Sequence, residues 1–168
     1  MELQEVLLKR RSVRRFKSDR IDREVIDRLL HAAMSGPSAC NKTPWEFYVV
    51  ESQEKIEQLR KTTAVSKMEA PLAIVVAGNT ERFMPGTFRD FWVQDTSSAT
   101  ENILLMATDL GLGACWCGVY PVERSVNRVR AVLGVGENVV PLNIIWLGYP
   151  DEEPAPRDQY DLSKVYYL

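Results

Sequence analysis

Apolar residues recur at helical spacing in five stretches of the chain, and four other stretches read as strands. Leu3, Val6 and Leu7 predict a short helix over residues 3–10. Val25, Ile26, Leu29, Leu30 and Ala33 follow the i, i+3, i+4 pattern of a second helix. Asp22 stands at its N-cap, Ile21 is placed to staple onto Ile26, and Gly36-Pro37 ends it. A strand over Glu46–Glu51 precedes a polar helix, roughly 53–63, that starts after Ser52 and turns Ile56 and Leu59 inward. Residues 72–78, LAIVVAG, are apolar without interruption and rich in β-branched side chains, the signature of a strand covered on both faces. The longest helix falls at about 90–111. Its stripe of Trp92, Thr96, Ala99, Ile103, Met106, Ala107 and Leu110 is broadened by Leu104 and Leu105, so burial on more than one side is expected, and a dimer interface would supply it. Residues 114–118, ACWCG, read as a short strand or turn. A last amphipathic helix carries Val126, Val129, Val132 and Leu133 up to Gly134, and 139–149 is a strand.

These elements imply one α+β domain over residues 1–168, because strands and helices do not alternate strictly enough for a doubly wound sheet. Two irregular segments interrupt them. Residues 37–45, PSACNKTPW, are small, polar and twice interrupted by proline, which suits a binding loop as well as a plain connector. Residues Asn79–Arg89 hold Phe83, Met84 and Phe88 around Pro85-Gly86, an apolar loop fit for a lid or a contact surface. The tail begins with clustered prolines yet closes on Val165-Tyr166-Tyr167-Leu168, as an arm that docks elsewhere would.

Composition adds one anomaly. The formal net charge is −2, yet Lys9–Arg20, KRRSVRRFKSDR, carries seven Lys or Arg against one acid. In an extended segment Arg10, Ser12 and Arg14 share a face, and a hydroxyl between two guanidinium forks is good chemistry for a phosphate monoester. A solvated basic face, nonspecific nucleic-acid or membrane attachment, and modification of Ser12 remain open at this point. No apolar run approaches the roughly 20 residues of a membrane span, and MELQEVLLKRR lacks the order of a signal peptide. A soluble cytoplasmic protein is expected.

The cysteines, Cys40, Cys115 and Cys117, are odd in number and include a C-x-C rather than a C-x-x-C, which argues against a disulfide framework and against zinc. With His31 the only histidine, a metal site and a His-dependent nucleophile are both disfavoured. Gly111, Gly113 and Gly118 do not make a dinucleotide fingerprint, since Trp116 stands where the third glycine belongs.

RRSVRRF, PSACNKTPWEF, DTSSATENILLMATDLGLGACWCG and WLGYP followed by PxPR, in that order across essentially the whole chain, resemble the FMN-dependent nitroreductase family. The resemblance implies a central mixed sheet flanked by helices, a C-terminal arm reaching over a partner subunit, and a homodimer with FMN at the interface. It implies no nucleic-acid, membrane or metal partner. On the matching positions, Arg10, Arg11 and Ser12 would serve the FMN phosphate and ribityl chain, and Arg14 the pyrimidine edge. Pro37, Ser38, Ala39 and Asn41 would come from the other subunit, with Thr43 in place of a more usual Gln. Cys117 and Gly118 would pass the ring, the Gly118 amide near N5, and Arg157 would add a second basic phosphate ligand. The implied activity is NAD(P)H-dependent, ping-pong reduction of nitroaromatic, quinone or similar acceptors. Phe83, Met84, Phe88 and Trp92 are the expected cleft lining. A specialised relative (flavin fragmentation, reductive dehalogenation) and a noncatalytic flavin-binding or redox-sensing protein are the alternatives, although residues 78–92 leave no room for an extended lid.

Overall fold

Leu72–Asn79 (β2) is buried at every position, as its unbroken apolar run requires. The computed structural model describes residues 1–65, 68–155 and 157–168; Pro156 of the PxPR motif lies outside them. β2 pairs with Trp45–Val50 (β1) on one side and Val139–Gly148 (β4) on the other, and Gly113–Gly118 (β3) lies beyond β4. All three ladders are antiparallel, where the family resemblance implies a mixed sheet. The connections from β1 to β2 and from β3 to β4 contain helices, yet each returns to the end of the sheet it left, which keeps the paired strands antiparallel. The parallel contact among the described residues is a single bridge between Ser12 and Ala114.

Helices cover both faces. Phe91–Asp109 (α4), 19 residues and so about 28 Å long, lies on one face with Arg23–Met34 (α2) beside it and Leu3–Lys9 (α1) against its far half. Ile74, Val76, Ile145 and Leu147 meet Ala99, Ile103 and Ala107 there. Gln53–Leu59 (α3) and Glu123–Leu133 (α5) cover the other face over Val75, Ile144 and Trp146. The breadth of the α4 stripe is therefore used largely within one chain, by the sheet below and α2 alongside. A second subunit is not needed to explain it.

The local signals work unevenly. Gly134 takes the left-handed conformation, φ 73°, that ends α5. Ile21 and Ile26 are buried together, but neither Asp22 nor Ser52 caps its helix with a side chain. α3 stops earlier than its polar pattern suggests, and Thr62 Oγ1 donates to the Leu59 carbonyl at 2.7 Å just beyond its end. Within α4, Thr96 and Thr100 return their hydroxyls to carbonyls four residues back, at 2.6 and 2.7 Å. Thr100 Oγ1 then accepts from Asn143 Nδ2 at 2.9 Å, which joins the helix to β4.

Gly78 on β2 lies directly under the Trp92 ring of α4 and the Phe83 ring. A Cβ there would stand 2.5 Å from Trp92 Cε3 and 2.8 Å from Phe83 Cε1. Those two rings are stacked at 5.0 Å, so neither can swing aside freely. Gly78→Ala is expected to destabilise the protein by about 1–3 kcal/mol, the usual cost of overpacking, as read by urea denaturation. An unchanged midpoint would mean that the stack yields.

Candidate functional site

α1 ends at Lys9, and the basic stretch then runs extended along the free edge of β3. Ser12 bridges Ala114, and the Val13 amide donates to the Ala114 carbonyl at 3.0 Å. Val13 fills the space beside Gly113, where a Cβ would come within 2.7 Å of its side chain. The chain next crosses the end of β4: Lys17 N donates to the Tyr149 carbonyl at 2.9 Å, and Asp151 N donates to that of Arg15 at 3.0 Å. Glu152 fixes the turn, accepting from the Arg14 amide, from the Arg15 amide at 3.1 Å, and from Arg15 Nε at 3.3 Å. Those bonds, the Arg14 amide foremost, hold its carboxyl below the ordinary glutamate range.

The arginines so placed are not equivalent. Arg11 turns its guanidinium inward, donating to the carbonyls of Leu8, Arg10, Ala155 and Arg157 at 2.7–3.2 Å. It staples the tail to the end of α1 and so departs from the expected role of phosphate ligand. The staple brings the Arg157 backbone beside the basic stretch. Arg157 Nε and Nη2 donate to the Gln159 side-chain oxygen at 3.3 and 3.2 Å when that amide is turned to offer it. Arg10 is half-buried and meets Glu101 of α4 at 3.4 Å. The Arg14 guanidinium makes no hydrogen bond or ion pair among the described residues, and its charge reaches Cys115.

The 37–43 loop is tightly built. Cys40, Asn41 and Thr43 all have positive φ, 48°, 54° and 43°, a conformation that costs non-glycine residues energy and persists only when its surroundings hold it. Backbone bonds from the Asn41 amide to the Ser38 carbonyl and from the Lys42 amide to that of Ala39, both 3.0 Å, close its turn, and two side-chain acceptors hold it in place. The Ala39 amide donates to Asp95 Oδ1 of α4 at 2.9 Å, and the Thr43 amide donates to Ser38 Oγ at 3.0 Å. Asp95 is buried, and burial raises its carboxyl above the ordinary aspartate value while the Ala39 amide acts against that rise. Pro37 and Asn41 are exposed; Ser38 and Ala39 are half-buried.

On β3, Cys115 and Cys117 face the core under α5, whereas Trp116 and Gly118 are exposed. A hydrogen bond to Cys117 and burial push the Cys115 thiol up, away from the reactive thiolate. Cys117 thus packs with its side chain and leaves only its backbone to the outer face. At the end of the strand nothing lies within 4 Å of a Cβ placed on Gly118. The expected cleft residues are partly rearranged. Trp92 is 3% exposed, stacked on Phe83 and meeting Tyr120 edge-on at 5.0 Å. It backs Phe83 and Tyr120 and is not itself open to a ligand. Phe88 is 53% exposed and Tyr120 38%.

Within one chain, Arg10, Ser12, Arg14 and Arg157 come to the β3 edge, and Gly118 ends the same strand. Phe83 and Trp92 reach that end of the sheet through Tyr120. The 37–43 loop does not join them in the same way. It is fastened to α4 at position 95 and Arg10 at position 101, roughly 9 Å apart along the axis and about 120° around it. Asp95, Glu152 and Tyr120 are the residues that reading the sequence missed. An acidic Asp151-Glu152-Glu153 run facing a basic stretch was a usable signal for Glu152; an aspartate inside an apolar helix was one for Asp95.

The donor set suits flavin mononucleotide: one unspent guanidinium, Arg14, two residues from the Ser12 hydroxyl, and bare backbone at Gly118 open to a flat ring. The model of the Nitroreductase family matches residues 7–67 and 62–149. A Methanothermobacter thermautotrophicus protein, provisionally named NADH dehydrogenase/NAD(P)H nitroreductase, is 41% identical over 99% of this chain and 86% of its own length. A similarly named Parabacteroides distasonis crystal structure superposes with a TM-score of 0.93 at 33% identity, covering 99% of this chain and 98% of that one. An FMN-dependent nitroreductase from Clostridium difficile gives 0.88 at 33% identity over 96% of each. Fold, ordered motifs and these matches together make the chain a member of the nitroreductase family.

Proposed function

We propose that the protein is an FMN-dependent NAD(P)H oxidoreductase that works as a homodimer, reducing nitroaromatic, quinone or similar acceptors. The observation that carries the reading is the pairing, on one strand edge, of an unspent Arg14 with open backbone at Gly118. Arg10, Ser12 and Arg157 would hold the phosphate, and Arg14 would lie against the pyrimidine edge, where a fixed guanidinium stabilises developing negative charge. The Gly118 amide would orient the ring, and Cys117 would contribute backbone only. Bound FMN supplies the hydride acceptance and donation that no side chain here provides. The chain's own part is to bind, orient and exclude water, which accounts for a site without a triad or a carboxylate pair. Pro37, Ser38, Ala39 and Asn41, held on another side of α4, would serve the flavin of a second copy. The exposed arm ending at Tyr166, Tyr167 and Leu168, 80–119% accessible, would cover that copy. The C. difficile relative's name supports FMN use, and the M. thermautotrophicus name supports a nicotinamide donor.

The purified protein is expected to be yellow, to bleach anaerobically with NADH or NADPH, and to recover its colour with a quinone or nitroaromatic. A colourless protein that refuses added FMN would refute the reading, and a yellow one that neither donor bleaches would favour a carrier. Gly118→Ala is expected to fold normally, because its Cβ meets no other group, and to bind FMN about tenfold more weakly if the ring lies against that backbone. Equal affinity would move the ring elsewhere.

Asp95→Ala is expected to release the strained loop and weaken FMN binding by about tenfold, the loss of a charge-assisted bond. Asp95→Asn, which keeps an acceptor for the Ala39 amide, should retain most of the affinity. Fluorescence titration of FMN checks both. The pH dependence has a definite sign. A carboxyl raised by burial binds its proton more tightly when folded than when unfolded, so its contribution to stability falls as pH rises from about 3.9 toward the raised value. Thermal melts of Asp95→Asn across that window should gain on the wild type as pH rises.

A further inference from the structure

We infer that Arg89 gives the cleft a preference for flat aromatic molecules that carry an anionic group, an inference resting on the oxidoreductase reading above. Arg89 is exposed on the loop between β2 and α4, and its guanidinium carbon sits 5.4 Å from the centre of the Phe83 ring. Phe83 is stacked at 5.0 Å and 6° on Trp92, which is buried and meets Tyr120 edge-on. The pile rests directly on Gly78 of β2. The contact biases an otherwise flexible side chain toward the end of that aromatic column.

What the column leaves free is the polar rim of the guanidinium. Among the described residues the Arg89 side chain has no hydrogen bond and no ion pair, although Asp90 adjoins it and Glu81 lies on the same loop. A planar fork of N–H donors, biased toward the Phe83 ring and without a hydrogen bond or ion pair among the described residues, suits a carboxylate or phosphate. Exposed aromatic surface lies on the same loop and at the far end of the column: Phe88 and Phe91 are 53% and 37% exposed and 5.7 Å apart, and Tyr120, edge-on to Trp92, is 38% exposed. An uncharged aromatic acceptor uses only that surface. A ring with an acidic substituent also uses the arginine, and so does a nucleotide with an additional phosphate. The bias matters because part of the entropy of ordering the long side chain is spent before the ligand arrives.

The shared chemistry has two sources, an aromatic acid as acceptor or the 2′-phosphate that distinguishes NADPH from NADH. Calorimetric titration of the FMN-loaded protein separates them without turnover. The matched pairs are 4-nitrobenzoate with 4-nitrobenzamide, and NADP⁺ with NAD⁺, each against wild type, Arg89→Gln and Arg89→Lys. In at least one pair the wild type should bind the more anionic member better. Arg89→Gln should cut that preference about tenfold, and Arg89→Lys should keep a larger share of it. Loss confined to nitrobenzoate assigns the arginine to the acceptor; loss confined to NADP⁺ assigns it to the donor. Preferences unchanged by Arg89→Gln in both pairs, or absent from the wild type, overturn the inference. Should the Gln variant fail to fold, the wild type decides alone. Its preference must shrink between about 20 mM and 500 mM NaCl, as an exposed ion pair does, and a salt-independent preference refutes the role. Because binding needs no turnover, an inactive protein refutes the oxidoreductase reading while the charge preference is judged on its own.

Discussion

The packing of α4 onto a fully buried β2 governs where everything else in the molecule can be. β2 has no solvent face, so both sides of the sheet must be covered, and the larger cover is one 19-residue helix. Each part of the candidate site is fastened to that helix. The aromatic pile enters through Trp92, the strained loop through Asp95, and the basic edge through Glu101. The helix in turn is tied to β4 by Thr100 and Asn143. A shift of α4 on the sheet would therefore move the three groups together, which is how a site made of distant segments stays in register.

Much of this was legible in the sequence because it depends on periodicity. The continuous run at 72–78 could only be an interior strand, and the glycine stop at Gly134 adopts the expected left-handed turn. The ordered motifs located the basic edge and the loop. The misses have a common physical origin: they are interactions between segments far apart in sequence. Arg11 looks like its neighbours until the carbonyls of Ala155 and Arg157 arrive to absorb its donors. Trp92 reads as cleft lining until Phe83 and Tyr120 cover its ring. Asp95 reads as a polar interruption of a helix until the Ala39 amide is placed against it.

Charge is distributed here by function more than by composition. Of the arginines in the basic stretch, Arg11 and Arg15 are consumed in holding the chain on the β3 edge, through backbone carbonyls and Glu152 respectively. Arg20 pairs with Glu51 near the start of α2. Arg10 is shared with Glu101, and Arg14 is left unspent. A basic run of this kind is thus a folded device in which part of the positive charge positions the rest. That division argues against a nonspecific polyanion surface, for which every cation would be equally available.

The same economy bears on the proposed homodimer. The 37–43 loop bears the cost of positive φ at three non-glycine positions and is held by a buried carboxylate, an arrangement that nothing in the chain's own core requires. Strain retained by a specific anchor is best explained by what the loop presents outward. Its anchor lies on a different side of α4 from the one that Arg10 contacts. A second copy related by a two-fold axis would let each loop face the other's basic edge, completing two identical sites from two incomplete ones. The strained loop, the buried Asp95 and the exposed aromatic arm would then have one cause: a site divided between subunits.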